Sequence, residues 1–142
     1  MPRRGGARER RMSMEVSAIH HFTVGCAVED LPALRDFYVG TLGLKEGHRP
    51  ALRHPGYWLY ADGHAIVHLN ALRTVSPPRE CGPFDHVALK ARGLEATRQA
   101  LRAAKVPFSE TPLTGTSLHQ VFLSDPLGLK VELNFDLDLE AG

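Results

Sequence analysis

Four residues in this chain combine ligating chemistry with a regular spacing: His21, His68, His86 and Glu132. His21 and His68 stand 47 positions apart, His86 and Glu132 46 apart, and the second pair repeats the first at an offset of 65 and 64. A period of that length marks a duplicated structural unit. Imidazoles and a carboxylate that converge in such a unit are a donor set for a divalent metal. The first question is therefore which elements would carry these side chains, and to which face.

The run "AIHHFTVGC" alternates polar and apolar residues as a strand does. Asp30 is placed to cap a helix with Pro32 in its first turn, Leu31, Leu34, Tyr38 and Leu42 along one face, and Gly43 at its end. Beyond a loop with Pro50 and Pro55, "GYWLYADGHAIVHLN" reads as a hairpin turning at Asp62-Gly63. After a linker containing Pro77, Pro78, Gly82 and Pro83 the order repeats. "FDHVALKA" is a strand, Leu94, Thr97, Leu101 and Ala104 mark a helix face, a strand follows near Pro107–Thr111, and "HQVFLSDPLGLKVELNF" is a second hairpin. The expectation is an α+β fold: two βαβββ modules, residues 18–72 and 84–136, forming a cupped, half-barrel-like mixed sheet with helices on the outer face. They make one domain over residues 17–138, preceded by a basic, disordered arm over 1–16.

Side chains alternate between the faces of a strand, so parity orients the candidates. Phe22, Val24 and Cys26 take the helix side and leave His21 and Thr23 opposite. Val67 and Leu69 leave His68 and Asn70 opposite, Val87 and Leu89 leave His86, and Val131, Leu133 and Phe135 leave Glu132 and Asn134. All four candidates thus face the cup. By the same rule His119 faces away from it, as does His20, read as structural.

Composition narrows the alternatives. A chain of 142 residues with 43% hydrophobic and 23% charged residues suits one domain with a real core. No apolar run reaches the roughly 18 residues a membrane span needs. Five arginines against Glu9 give the first twelve residues a net +4, leaving −3 of the chain's +1 for the body. That body has no basic stripe for nucleic acid, so neither nucleic acid nor membrane is an expected partner. Cys26 and Cys81 form no CxxC pattern and read as reduced thiols, which makes a cytoplasmic setting the default.

The segments "HHFTV", "DFYVGTLGL", "DHVAL" and "DPLGLKVEL" resemble the vicinal oxygen chelate superfamily, over about residues 18–136. Its members include glyoxalase I, extradiol dioxygenases, methylmalonyl-CoA epimerase, and fosfomycin and bleomycin resistance proteins. The resemblance implies paired βαβββ modules around a divalent metal that chelates two adjacent substrate oxygens. His21, His86 and Glu132 correspond to the three metal ligands. His68 lies where glyoxalases and epimerases place a fourth ligand, usually Glu or Gln, and near where ring-cleaving dioxygenases keep an acid/base histidine.

Two imidazoles and one carboxylate suit Fe, Mn, Ni or Zn, and His68 is the candidate catalytic acid/base. Thr23, Trp58, Tyr60, Phe122 and Asn134 are candidate pocket residues. Arg49, Arg53, His48 and His54 lie in a loop where an anionic substrate could be held, although a solvated loop is the simpler reading. The expected function is a small divalent-metal-dependent enzyme on a small molecule, with a lean to dioxygenase-like chemistry. A glyoxalase- or epimerase-like lyase/isomerase is the alternative. A metal-free binding protein of the bleomycin-resistance type is the alternative from another class. A homodimer is implied by the resemblance.

Overall fold

The computed structural model describes residues 18–78, 84 and 86–140, and the basic arm, Cys81, Gly82 and Pro83 lie outside the described residues. β1 (Phe22–Gly25) leads into a helical segment made of a 3-10 turn (Val28–Asp30), α1 (Leu31–Arg35) and a π-helical stretch (Asp36–Thr41). β2 (Lys45–Gly47), β3 (Gly56–Ala61) and β4 (His64–Asn70) complete the first module. The second repeats the order with β5 (His86–Ala91), α2 (Leu94–Ala103), β6 (Phe108–Pro112), β7 (Leu118–Ser124) and β8 (Lys130–Asp136). A short α3 (Leu137–Glu140) follows. Among the described residues no helix is long and apolar enough to cross a membrane.

The strand order is β1-β4-β3-β2 in one sheet and β5-β8-β7-β6 in the other, so the α+β reading of two βαβββ modules holds. The first strand of each module pairs in parallel with the last: Thr23 lies opposite His68, and Ala88 opposite Glu132. The two modules therefore share one register, with each candidate on the last strand facing the residue two after the candidate histidine on the first.

The helix begins earlier than the capping reading implied. Asp30 reaches back, its Oδ2 accepting the Ala27 N–H at 2.9 Å, so the first turn forms ahead of it. Leu31, Leu34, Phe37 and Tyr38 are buried with β-strand residues of both modules in one core. A polar contact also joins the modules. The Tyr38 hydroxyl donates at 3.0 Å to Asp125 Oδ2, while Asp125 Oδ1 accepts the N–H groups of Leu127 (2.9 Å) and Leu129 (2.8 Å). Burial holds the Asp125 carboxyl above its ordinary range and pushes the Tyr38 hydroxyl up as well.

The tight turn at Asp62 (φ 48°) and Gly63 (φ 76°) fits a two-residue hairpin. Counting back from it alone would place Trp58 opposite Val67. A bulge at Leu59/Tyr60 shifts the pairing by one residue and puts Trp58 opposite His68. Two glycines bound the loop that precedes β3. A Cβ on Gly56 would lie 1.9 Å from the Leu69 carbonyl oxygen, and one on Gly47 would lie 2.6 Å from the Tyr60 ring.

Candidate functional site

Pairing in the first module stacks three rings. Trp58 and His68 face each other across β3 and β4, with centroids 4.2 Å apart and planes 10° from parallel. His21 covers the other side of His68 at 3.9 Å and 13°. The middle ring is 7% exposed. Burial, then the neighbouring His21, lowers its pKa, while a hydrogen bond to the Ala65 carbonyl opposes that shift. His68 Nε2 is buried without a hydrogen-bond partner among the described residues. A neutral imidazole carries a lone pair on one ring nitrogen. His68 is thus disposed to accept a proton or bind an electrophile.

The second module gathers polar groups instead. Glu132, 5% exposed, receives the Gln120 amide at Oε1 (3.2 Å) and the Asn134 amide at Oε2 (3.1 Å). His86 Nε2 lies 3.5 Å from Oε1. Phe122 sits across β7 and β8 from Glu132 and meets His86 edge-on at 6.4 Å. The ammonium of Lys130 lies 5.2 Å over the Phe122 ring.

The remaining candidates scatter. Thr23 is exposed and lines a 410 Å³ cavity with Phe84, Leu127 and Leu129, where the β1 edge meets the β7–β8 turn. The Tyr60 ring covers Gly47 and its hydroxyl donates to the His48 carbonyl, away from the stack. His119 is mostly buried, 3.6 Å from Glu110 Oε2, with Glu110 also held by Arg98 at 3.0 Å. His20 corrects the helix-side reading: it is exposed, and its Nδ1 lies 2.9 Å from His21 Nδ1. Arg49, in the loop read either as solvated or as able to hold an anionic substrate, is half-buried against Asn70.

A family model described as the Glyoxalase/Bleomycin resistance protein/Dioxygenase superfamily matches residues 18–133. The chain belongs to this superfamily. Among solved structures it is similar to a putative glyoxalase family protein from Bacillus anthracis, at 20% identity and a TM-score of 0.72, covering 88% of this chain and 99% of that one. It is also similar to TnmS3, an antibiotic binding protein from Streptomyces sp. CB03234, at 22% identity and a TM-score of 0.64, covering 87% and 99%. For lactoylglutathione lyase from Agrobacterium tumefaciens the values are 18% and 0.63, covering 86% and 96%. At these identities the likeness establishes the fold. No curated protein matches the chain.

The superfamily commonly uses divalent metals, and the donor types here suit one. Their positions are less accommodating. Among the described residues no group of three or more His, Cys, Asp or Glu could hold a metal ion. In the first module the reason is the stack: near-parallel rings 3.9 Å apart send their in-plane lone pairs side by side, not to one point. In the second, both Glu132 oxygens already accept amide hydrogens. The arrangement seen is two pairs of donors and not one metal centre.

Proposed function

We propose that this chain is a divalent-metal-dependent enzyme acting on a small molecule with adjacent oxygens, with His21, His86 and Glu132 as ligands and His68 as acid/base. The observation that supports this most is the shared register. His21 and His68 hold the same places in one module that His86 and Glu132 hold in the other. A hydrophobic drug-binding cup has no need for four ligating groups at equivalent positions on two inner faces. Metal uptake requires the His21 ring to turn off His68 and Glu132 to yield one amide contact.

Dioxygenase-like chemistry on a catechol-type substrate is favoured over a lyase or isomerase. His68 is a buried ring held toward its neutral form, whereas a glyoxalase-like proton transfer would use a carboxylate at that place. A metal-free binding protein is the second reading, favoured by the separation of the donors into two pairs. Members of the superfamily often form dimers, and we expect a homodimer here.

Metal analysis of purified protein, with melting curves in chelator and in added Fe(II), Mn(II), Ni(II) or Zn(II), tests the central claim. Bound metal at about one per chain and a melting temperature raised by one of these ions are expected. Protein without metal that no ion stabilises would overturn it in favour of the binding cup. Oxygen uptake with catechols, against hemithioacetal turnover, then separates the two enzymatic classes.

A further inference from the structure

The inner face of the first module ends in a cationic corner that the function proposed above does not use. Arg49 folds over it from the β2–β3 loop. Its Nη2 donates to the His54 carbonyl at 2.7 Å and to Asn70 Oδ1 at 3.0 Å. Asn70 shares the inner face of β4 with His68, two residues away. Both acceptors are neutral, and among the described residues no carboxylate pairs with this guanidinium. Its Nε is buried without a hydrogen-bond partner, and so is Nε1 of Trp58, the ring stacked on His68.

A half-buried guanidinium without a counter-ion, beside further unused N–H groups, is unfavourable by itself. It becomes favourable when an oxyacid anion supplies the opposite charge at the exposed part of the guanidinium, because charge-assisted bonds from Arg to carboxylate are strong and directional. Such an anion would meet Arg49 at the Asn70 end of β4, next to the Trp58–His68 stack.

We propose that Arg49 is a specificity-determining anion anchor, so that the natural ligand is a carboxylic acid whose carboxylate binds Arg49 while its body lies along the Trp58–His68–His21 face. The proposal rests on the cup being the ligand site, as above, but not on the metal. It distinguishes the acid from the otherwise identical neutral molecule.

Trp58 is the chain's one tryptophan, so its fluorescence reports on this corner directly. The experiment titrates full-length protein, as purified and after chelation, with 3,4-dihydroxybenzoate and catechol, with benzoate and benzamide, and with inorganic phosphate. Wild type should bind each acid about tenfold or more tightly than its neutral partner, and more tightly than phosphate. In Arg49→Gln the ratio should fall to about twofold, with affinity for the neutral partners unchanged, while Arg49→Lys should retain part of the preference.

Equal binding of acid and neutral partner in wild type would overturn the proposal, as would a ratio that survives in Arg49→Gln. No change in Trp58 fluorescence with any acid up to about 10 mM would also do so, because one good charge-assisted contact on a preformed site exceeds that threshold. Phosphate binding as tightly as the acids would overturn the carboxylate assignment. If Arg49 merely straps the loop to Asn70, Arg49→Gln lowers the melting temperature and leaves the ratio intact. An acid preference in protein that binds no metal would sink the metal reading alone, and metal-loaded protein without the preference would sink the anchor alone.

Discussion

The two modules share strand order and register, yet their inner faces are chemically opposite. The first carries a column of rings, with His68 buried between a half-buried Trp58 and an exposed His21. The second carries an anion, with Glu132 bonded by Gln120 and Asn134 and approached by His86. Duplication conserved the positions, and the cross-strand neighbours then set the chemistry. Opposite His68 stands a flat indole, which shields it from water and favours the neutral base. Glu132 instead accepts amide hydrogens from Asn134 on its own strand and Gln120 on the adjacent one. One half is suited to accept a proton and the other to hold a cation.

Breaking the polar half should have the largest effect. If the metal reading holds, Glu132→Ala should lower metal affinity by more than about 100-fold, and Gln120→Leu by about tenfold, since partners that orient a ligand matter less than the ligand. Competition with a chelating dye would measure both. An unchanged affinity in Glu132→Ala would show that the two halves do not meet at a metal.

A second contrast lies in the hairpin turns. Asp62 is exposed in a tight turn, whereas Asp125 is buried and bonded to Tyr38, Leu127 and Leu129. Asp125→Ala should therefore cost about 2–4 kcal/mol in urea unfolding, and Asp62→Ala under about 1 kcal/mol.

The same carboxylate gives a pH test. Its pKa is raised from the ordinary 3.8 by burial, so the folded state keeps the proton to higher pH than the unfolded chain does. The stability this contributes is present below 3.8 and lost as pH rises through the folded value. Wild type should therefore become less stable relative to Asp125→Asn as pH rises from that point, by urea unfolding at a series of pH values. The smallest effect belongs to the aromatic half: Trp58→Phe keeps a ring over His68 and should cost about 1 kcal/mol or less.

Alternation along β4, β5 and β8 was enough to orient His68, His86 and Glu132, because burial of every second residue leaves no other choice, whereas His21 precedes β1 and is placed by its stacking on His68. The Asp62-Gly63 hairpin and the repeat were legible for similar local reasons. The stack on His68 was not. It depends on a bulge that no residue in β3 announces, and without which Trp58 would face Val67. Nor does strand parity determine whether donors on two sheets meet, since that depends on how the sheets pack and how the rings turn. His20 shows a further limit. Parity assigns a face only where a strand exists, and β1 starts at Phe22, beyond it.

Gly47 and Gly56 give the loop between them fixed end points. A side chain at Gly56 would run into the Leu69 carbonyl, and one at Gly47 into the Tyr60 ring. The eight residues between them, Arg49 included, therefore behave as an exchangeable cassette on a constant frame. Selection or an engineer could replace that stretch to retarget the protein to other ligands, leaving the register of both modules untouched.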